Sequence, residues 1–170
     1  MGATDRLISA LGYVSREVYD LTPDRRSSCF YCLGSMGSVI PLALGLAIAQ
    51  PGLRMIALEG DGSLLMNLGT LATLARYGSG TVSAVVFDNG CYESTGGQPS
   101  RASKFRLEAV AEASGLRTAV ARDPSDVREH LMSSVRPTLI VARVCLTAPA
   151  PRIVAEPRSM AEQFSRGMDR

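Results

Sequence analysis

LRMIALEGDGSLLMNLGTLATLARYGSGTVSAVVFDNG, residues 53–90, decides the fold. Leu53–Leu58 is a short apolar run and predicts a strand. Glu59-Gly60-Asp61-Gly62-Ser63 is a glycine turn placed where a strand should hand over to a helix. Leu64–Tyr77 predicts that helix, closed by Gly78. Thr81–Phe87, TVSAVVF, is β-branched and apolar throughout, the pattern of a central parallel strand buried on both faces. It ends at the turn Asp88-Asn89-Gly90. One helix separates the two strands, so they should lie parallel with both turns at the carboxyl edge of the sheet, where open α/β folds bind ligands.

The same alternation extends in both directions. Strands are expected at Asp5–Leu11, Leu116–Ala121 and Thr138–Val144, with a short extended stretch at Ser27–Leu33. Helices are expected at Tyr13–Leu21, Met36–Gln50, Phe105–Ser114 and Ser125–Ser134. Gly90–Ser103, rich in glycine and small polar residues, reads as a long loop. The fold class is therefore α/β, a doubly wound, mainly parallel sheet with helices on both faces. The domain occupies residues 1–145. Residues 146–170 carry Pro149, Pro151 and Pro157 and read as a tail, either disordered or lying across a neighbouring chain, with a weak helix at Ser159–Arg166.

Eighteen basic and sixteen acidic residues leave a net charge of +2, which gives no bulk attraction for nucleic acid. At 46% hydrophobic and 20% charged, the 170 residues are rich enough in apolar side chains for a packed core. The longest apolar run, Val39–Ala49, has 11 residues and contains Pro41 and Gly45. A membrane span needs about 18, so no crossing is expected. With no secretory pattern at MGATDRLISA, a cytoplasmic location is expected. A single histidine, His130, argues against zinc chemistry and a Ser-His-Asp hydrolase. Cys29 and Cys32 read as two small buried residues beside a glycine turn rather than as half a zinc site, since no second pair follows.

The chemistry concentrates in the two turns. Gly60–Ser63 presents backbone N–H groups at a helix start, which suits a phosphate. The turn lacks a P-loop lysine, and GSMGS at 34–38 lacks dinucleotide spacing. Asp61 alone would repel a phosphate, a conflict that disappears if it holds a divalent cation bridging to it. Magnesium takes oxygen ligands in near-octahedral array, few of them from protein. Asn89, 28 residues after Asp61 at the end of the next strand, supplies a second oxygen, and a loop carbonyl a third.

Gly60-Asp61-Gly62, 25 residues and then Asp88-Asn89 resembles the thiamine diphosphate motif of the 2-oxo acid decarboxylase and acetolactate synthase superfamily. That motif usually ends Asn-Asn; here Asp88 takes the first place and Asn89 keeps the second. SREVYDL at 15–21, FYCLGSMGS at 30–38, GDGSLLMNLGTLATLARY at 60–77 and DNGCYESTGGQP at 88–99 together resemble the sulfopyruvate and phosphonopyruvate decarboxylases, in their C-terminal diphosphate-binding half. The likeness runs over about residues 5–145.

The resemblance implies thiamine diphosphate and Mg²⁺ as cofactors. It implies that Asp61 and Asn89 bind the metal through side chains and Cys91 through its carbonyl. Gly62 and Ser63 would donate to the diphosphate, with Gly60 and Tyr92 beside them. Gly34 would face the pyrimidine amine, next to Ser35, and Met36 would wedge between the cofactor rings. Arg16 and Glu17 fit either a helix surface or the cleft. The loop Ser94–Pro99 resembles the decarboxylase pattern and would approach cofactor or substrate.

The family's catalytic glutamate lies on a pyrimidine-binding domain, so no catalytic residue is assigned in this chain. The implied partner is a pyrimidine-binding α subunit, in an α2β2 or larger assembly, acting on a small 2-oxo acid. Two alternatives stay open: a carboligase of the acetolactate synthase kind, and a non-catalytic regulatory homologue.

Overall fold

The structure is a computed structural model and describes residues 2–78, 80–100, 102–133, 139–145, 148 and 150–168. Strands β1 (Asp5–Ser9), β2 (Cys29–Tyr31), β3 (Arg54–Gly60) and β4 (Val82–Asp88) belong to one sheet with β7 (Thr118–Ala121) and β8 (Leu139–Arg143). The short β5 (Cys91–Tyr92) and β6 (Gln98–Pro99) form a separate antiparallel pair. The sheet has six strands in the order β2-β1-β3-β4-β8-β7, and every pairing in it is parallel. Thr138, the expected start of the last strand, lies outside the described residues, as do Ser134 and, in the tail, Leu146, Thr147 and Pro149.

Helices cover both faces. On one, α2 (Val39–Ala49), α4 (Thr70–Tyr77) and α6 (Leu107–Ala113) pack Ile40, Leu44, Leu71, Leu74 and Leu107 on Ile8, Met55, Val86 and Val141. On the other, α1 (Tyr13–Leu21) packs Val18 and Tyr19 near Leu7, Tyr31 and Ile56, and α7 (Pro124–Met132) packs Val127 and Leu131 near Val85 and Ile140. β4 is buried along nearly its whole length, as the TVSAVVF pattern requires. The chain moves from β1 outward to β2, then crosses back to β3 and proceeds toward β4. The crevice at the carboxyl ends of β1 and β3 is thus the switch point of the sheet.

Several boundaries depart from the expected ones for local reasons. Met36–Ser38 does not join α2, because Ser35 and Gly37 adopt left-handed φ of 62° and 78° and turn the chain before the helix can start. The single helix expected at Leu64–Tyr77 is two: α3 (Asp61–Leu65) and α4, joined by turns at 66–69 whose amides reach back three residues. Asn67 in that turn spends its side chain on the carbonyl of Gly37, 3.1 Å away. Gly90–Ser103 is not all loop, since it holds the β5–β6 hairpin and the start of α5 (Ala102–Phe105). Arg106, at φ 46°, separates α5 from α6.

The tail ends in α8 (Pro157–Met168), which lies on this chain's own β2 edge. Phe164 meets Phe30 edge-on at 5.4 Å, and Met160 joins Leu7, Cys29 and Ile56. Gly167 permits the close approach, because a Cβ there would collide with the backbone of Ser27. Its carbonyl accepts from the buried Arg6 Nη2 at 2.5 Å, a cation at a helix C-terminus. Prolines at 149, 151 and 157 predict irregular chain, yet they do not prevent the amphipathic stretch after Pro157 from covering an edge strand.

Candidate functional site

The carboxyl ends of β1, β3 and β4 border a cleft of about 680 Å³ lined by Tyr13, Met36, Gly60, Asp61, Gly62, Ser63, Asn89, Cys91 and Tyr92, among others. Asp61 is the first residue of α3 and is 3% exposed. Its Oδ2 accepts from the hydroxyl of Ser100. Asn89 is held at both ends of its carboxamide: Oδ1 accepts from the Cys91 amide at 3.0 Å, and Nδ2 donates to Glu93 at 2.9 Å. A carboxamide oxygen has a second lone pair, which remains for another partner. Burial pushes the Cys91 thiol up from its ordinary range, with the nearby carboxylates of Glu93 and Asp61 adding to the shift. Among the described residues no group of three His, Cys, Asp or Glu side chains could hold a metal. One carboxylate, one carboxamide and a carbonyl is a sparse oxygen set that suits a cation sharing its remaining positions with phosphate and water.

Two loops meet here. The amide of Gly37 donates to Ser63 Oγ at 2.9 Å, and Asn67 Nδ2 donates to the Gly37 carbonyl at 3.1 Å. These bonds lock the Gly34–Ser38 loop onto α3. Ser63 Oγ thus accepts from the neighbouring loop, while its backbone amide lies in the first turn of α3. Met36 is 37% exposed, so it does not fill the core as an ordinary buried methionine would. Ser35 takes the left-handed turn beside it, while Gly34 has open space around it. The ring of Tyr92 sits directly on Gly62, where a Cβ would overlap it. Of the pair that the sequence leaves undecided, Glu17 lines the cleft, while Arg16 stacks over Tyr13 at 5.0 Å.

Behind the cleft, Glu59 is fully buried beneath the start of α2. Burial pushes its carboxyl up to about 7, although the Ser63 hydroxyl and the amides of Gly60 and Val39 face it. Its Oε2 makes no hydrogen bond. Burial likewise pushes Cys32 up to about 11, with Glu59 contributing, and Cys29 is buried; both are free thiols. At the end of β4, Asp88 accepts from the Gly90 amide at 3.1 Å and pairs with Arg143, which reaches Glu108 at 3.0 Å. The departure from Asn-Asn is explained by that arginine: a carboxylate at 88 has a counter-ion and still shapes the turn that carries Asn89. Ser100, Asn67 and Arg143 carry no signal in the sequence, since each acts on a residue 30 to 55 positions away.

This geometry is that of a thiamine diphosphate enzyme, and the chain belongs to that family: residues 10–142 match the thiamine pyrophosphate enzymes' C-terminal TPP binding domain. It is 46% identical over 110 residues to the sulfopyruvate decarboxylase subunit beta of Methanothermobacter thermautotrophicus, covering 65% of this chain and 58% of that one. It is 40% identical over 138 residues to the phosphonopyruvate decarboxylase of Streptomyces viridochromogenes, covering 79% of this chain and 34% of that one. The chain therefore spans between about a third and three-fifths of these two relatives. A thiamin diphosphate-dependent enzyme from Mycobacterium smegmatis shares the fold, with a TM-score of 0.64, 21% identity, and coverage of 85% of this chain and 30% of that one. Among the described residues no helix is long and apolar enough to cross a membrane.

Proposed function

We propose that this chain is the diphosphate-binding β subunit of a split, thiamine diphosphate- and Mg²⁺-dependent decarboxylase acting on a small 2-oxo acid of the sulfopyruvate or phosphonopyruvate kind. The observation that carries the proposal is the convergence of Asp61, Asn89 and Cys91 on one cleft that Met36 also lines, while Gly34 and Ser35 beside it do not. Asp61 and Asn89 would hold the cation by side chain and Cys91 by its carbonyl. The amides of Gly62 and Ser63 would face the diphosphate at the start of α3. Gly34 would accept from the pyrimidine amine, and Met36 would support the bent cofactor. When bound, thiamine diphosphate supplies the nucleophilic carbon and the electron sink that let a 2-oxo acid lose carbon dioxide. The chain's own share is to anchor, orient and partly bury that group.

Glu59 lies two residues before Asp61, but it is enclosed beneath α2 and lines no part of the cleft. The glutamate that activates the pyrimidine would come from a partner chain docking over Met36, Gly60–Ser63 and the 91–99 hairpin. Purified alone with Mg²⁺ and thiamine diphosphate, this chain should release no carbon dioxide from pyruvate, sulfopyruvate or phosphonopyruvate. With a pyrimidine-binding partner it should release carbon dioxide and an aldehyde. Robust turnover by the single chain refutes the split arrangement, and a hydroxyketone product identifies the carboligase instead.

A further inference from the structure

Ser100 closes the base of the β5–β6 hairpin and is 6% exposed. Its amide donates to the Gly90 carbonyl at 2.9 Å, and its hydroxyl accepts from the Ala102 amide at 3.3 Å. The proton of that hydroxyl goes to Oδ2 of Asp61, across 39 residues of sequence. The hairpin is seated on α3 at a second point, where the ring of Tyr92 covers Gly62.

We infer that Ser100 is a positioning residue for the cation site: by holding Oδ2 of Asp61 it fixes the rotamer of the carboxylate and leaves the other oxygen for the cation. The inference rests on the cation site proposed above. Three features support it. The bond is buried, so water offers the carboxylate no equivalent donor. The donor is a neutral hydroxyl, which orients the anion without cancelling its charge, unlike the arginine beside Asp88. Finally, the backbone of Ser100 is pinned to Gly90, next to Asn89, so one residue sets Asp61 relative to the turn that carries the second ligand. Partners that orient a metal ligand in this way typically contribute 10–100-fold to metal affinity.

The experiment is a titration with Mn²⁺, read by electron paramagnetic resonance, of the full chain assembled with its pyrimidine-binding partner in the presence of thiamine diphosphate. Ser100→Ala should weaken Mn²⁺ binding by about 10–100-fold. Ser100→Thr, which keeps the hydroxyl, should retain most of the affinity, and Ser100→Cys, a similar size with a weaker donor, should fall between. Raising Mn²⁺ should restore turnover of Ser100→Ala, because the defect lies in occupancy. The metal-free circular dichroism spectrum should match that of the parent. Unchanged affinity in Ser100→Ala, or equal losses in all three variants, overturns the role of the hydroxyl. Failure of the parent protein to bind Mn²⁺ overturns the cation site itself, a result distinct from either.

Discussion

Replacing Gly62 by alanine should change stability with a sign that depends on Tyr92. Gly62 lies inside α3 with no left-handed φ to protect, so backbone geometry does not object to a side chain. The obstacle is the aromatic ring. A Cβ at 62 would stand 2.6 Å from Tyr92 Cδ1 and 3.1 Å from Cζ, with Cε1 closer still. Carbon atoms rest at about 3.5–4.0 Å, so the ring must withdraw by roughly 1 Å. Forcing extra volume into a packed site costs about 1–3 kcal/mol, while alanine for glycine within a helix recovers about 0.5–1 kcal/mol. Gly62→Ala should therefore destabilise the chain by roughly 0–2.5 kcal/mol. In a Tyr92→Ala background the collision disappears, and the same substitution should stabilise by up to about 1 kcal/mol. Urea unfolding of the four proteins in metal-free buffer gives the coupling directly, and each kcal/mol should move the melting temperature by about 2–4 °C. The argument fails if Gly62→Ala has the same effect in both backgrounds. It also fails if the substitution stabilises the chain while Tyr92 is present.

Glu59 gives a pH dependence. The unfolded chain ionises it near 4.5 and the folded chain near 7, so its contribution to stability declines as pH rises through that window, and the full cost is reached above about 7. The shift corresponds to roughly 3 kcal/mol, and Glu59→Gln should abolish it, so the variant should gain on its parent between pH 5 and 8 in unfolding with EDTA present; parallel profiles would count against a protonated buried carboxyl. Arg143→Leu should cost about 3–5 kcal/mol, because it strands the buried Asp88 without its cation, while Glu108 keeps Arg106. Asp88→Asn added to it should restore much of the loss, as measured by denaturant midpoint, and equal losses with and without the second change would mean that the ion pair contributes little.

The parts of the molecule written in local pattern were readable, and the parts written in long-range contact were not. Alternating apolar runs and glycine turns were enough to place β3, β4 and the two loops at one sheet edge. The motif resemblance then placed the residues of both loops around a cofactor, and the cleft contains Asp61, Asn89, Cys91 and Met36 together. α2 starts at Val39 and not at Met36, because the left-handed turns at Ser35 and Gly37 interrupt the chain there and leave no periodic trace in the sequence. Leu64–Tyr77 reads as one amphipathic helix, yet the chain breaks into turns between α3 and α4, where Asn67 donates to the Gly37 carbonyl. Ser100 looked like one more small polar residue in a loop, and only the fold brings it to Asp61. The tail's prolines suggest irregular chain, whereas Phe164 and Met160 anchor it on Phe30 and Leu7.

The bond between Arg6 and Gly167 joins positions 161 residues apart. It places the entry to β1 and the end of α8 side by side at the amino edge of the sheet, opposite the cleft. A domain fused covalently at either position would leave from this one patch. To reach the cleft it would have to pass the height of the seven-residue strands β3 and β4, roughly 23 Å at 3.3 Å per residue. A tether of fewer than about seven extended residues could not bridge that distance. A separate chain meets no such constraint and can dock at the cleft directly.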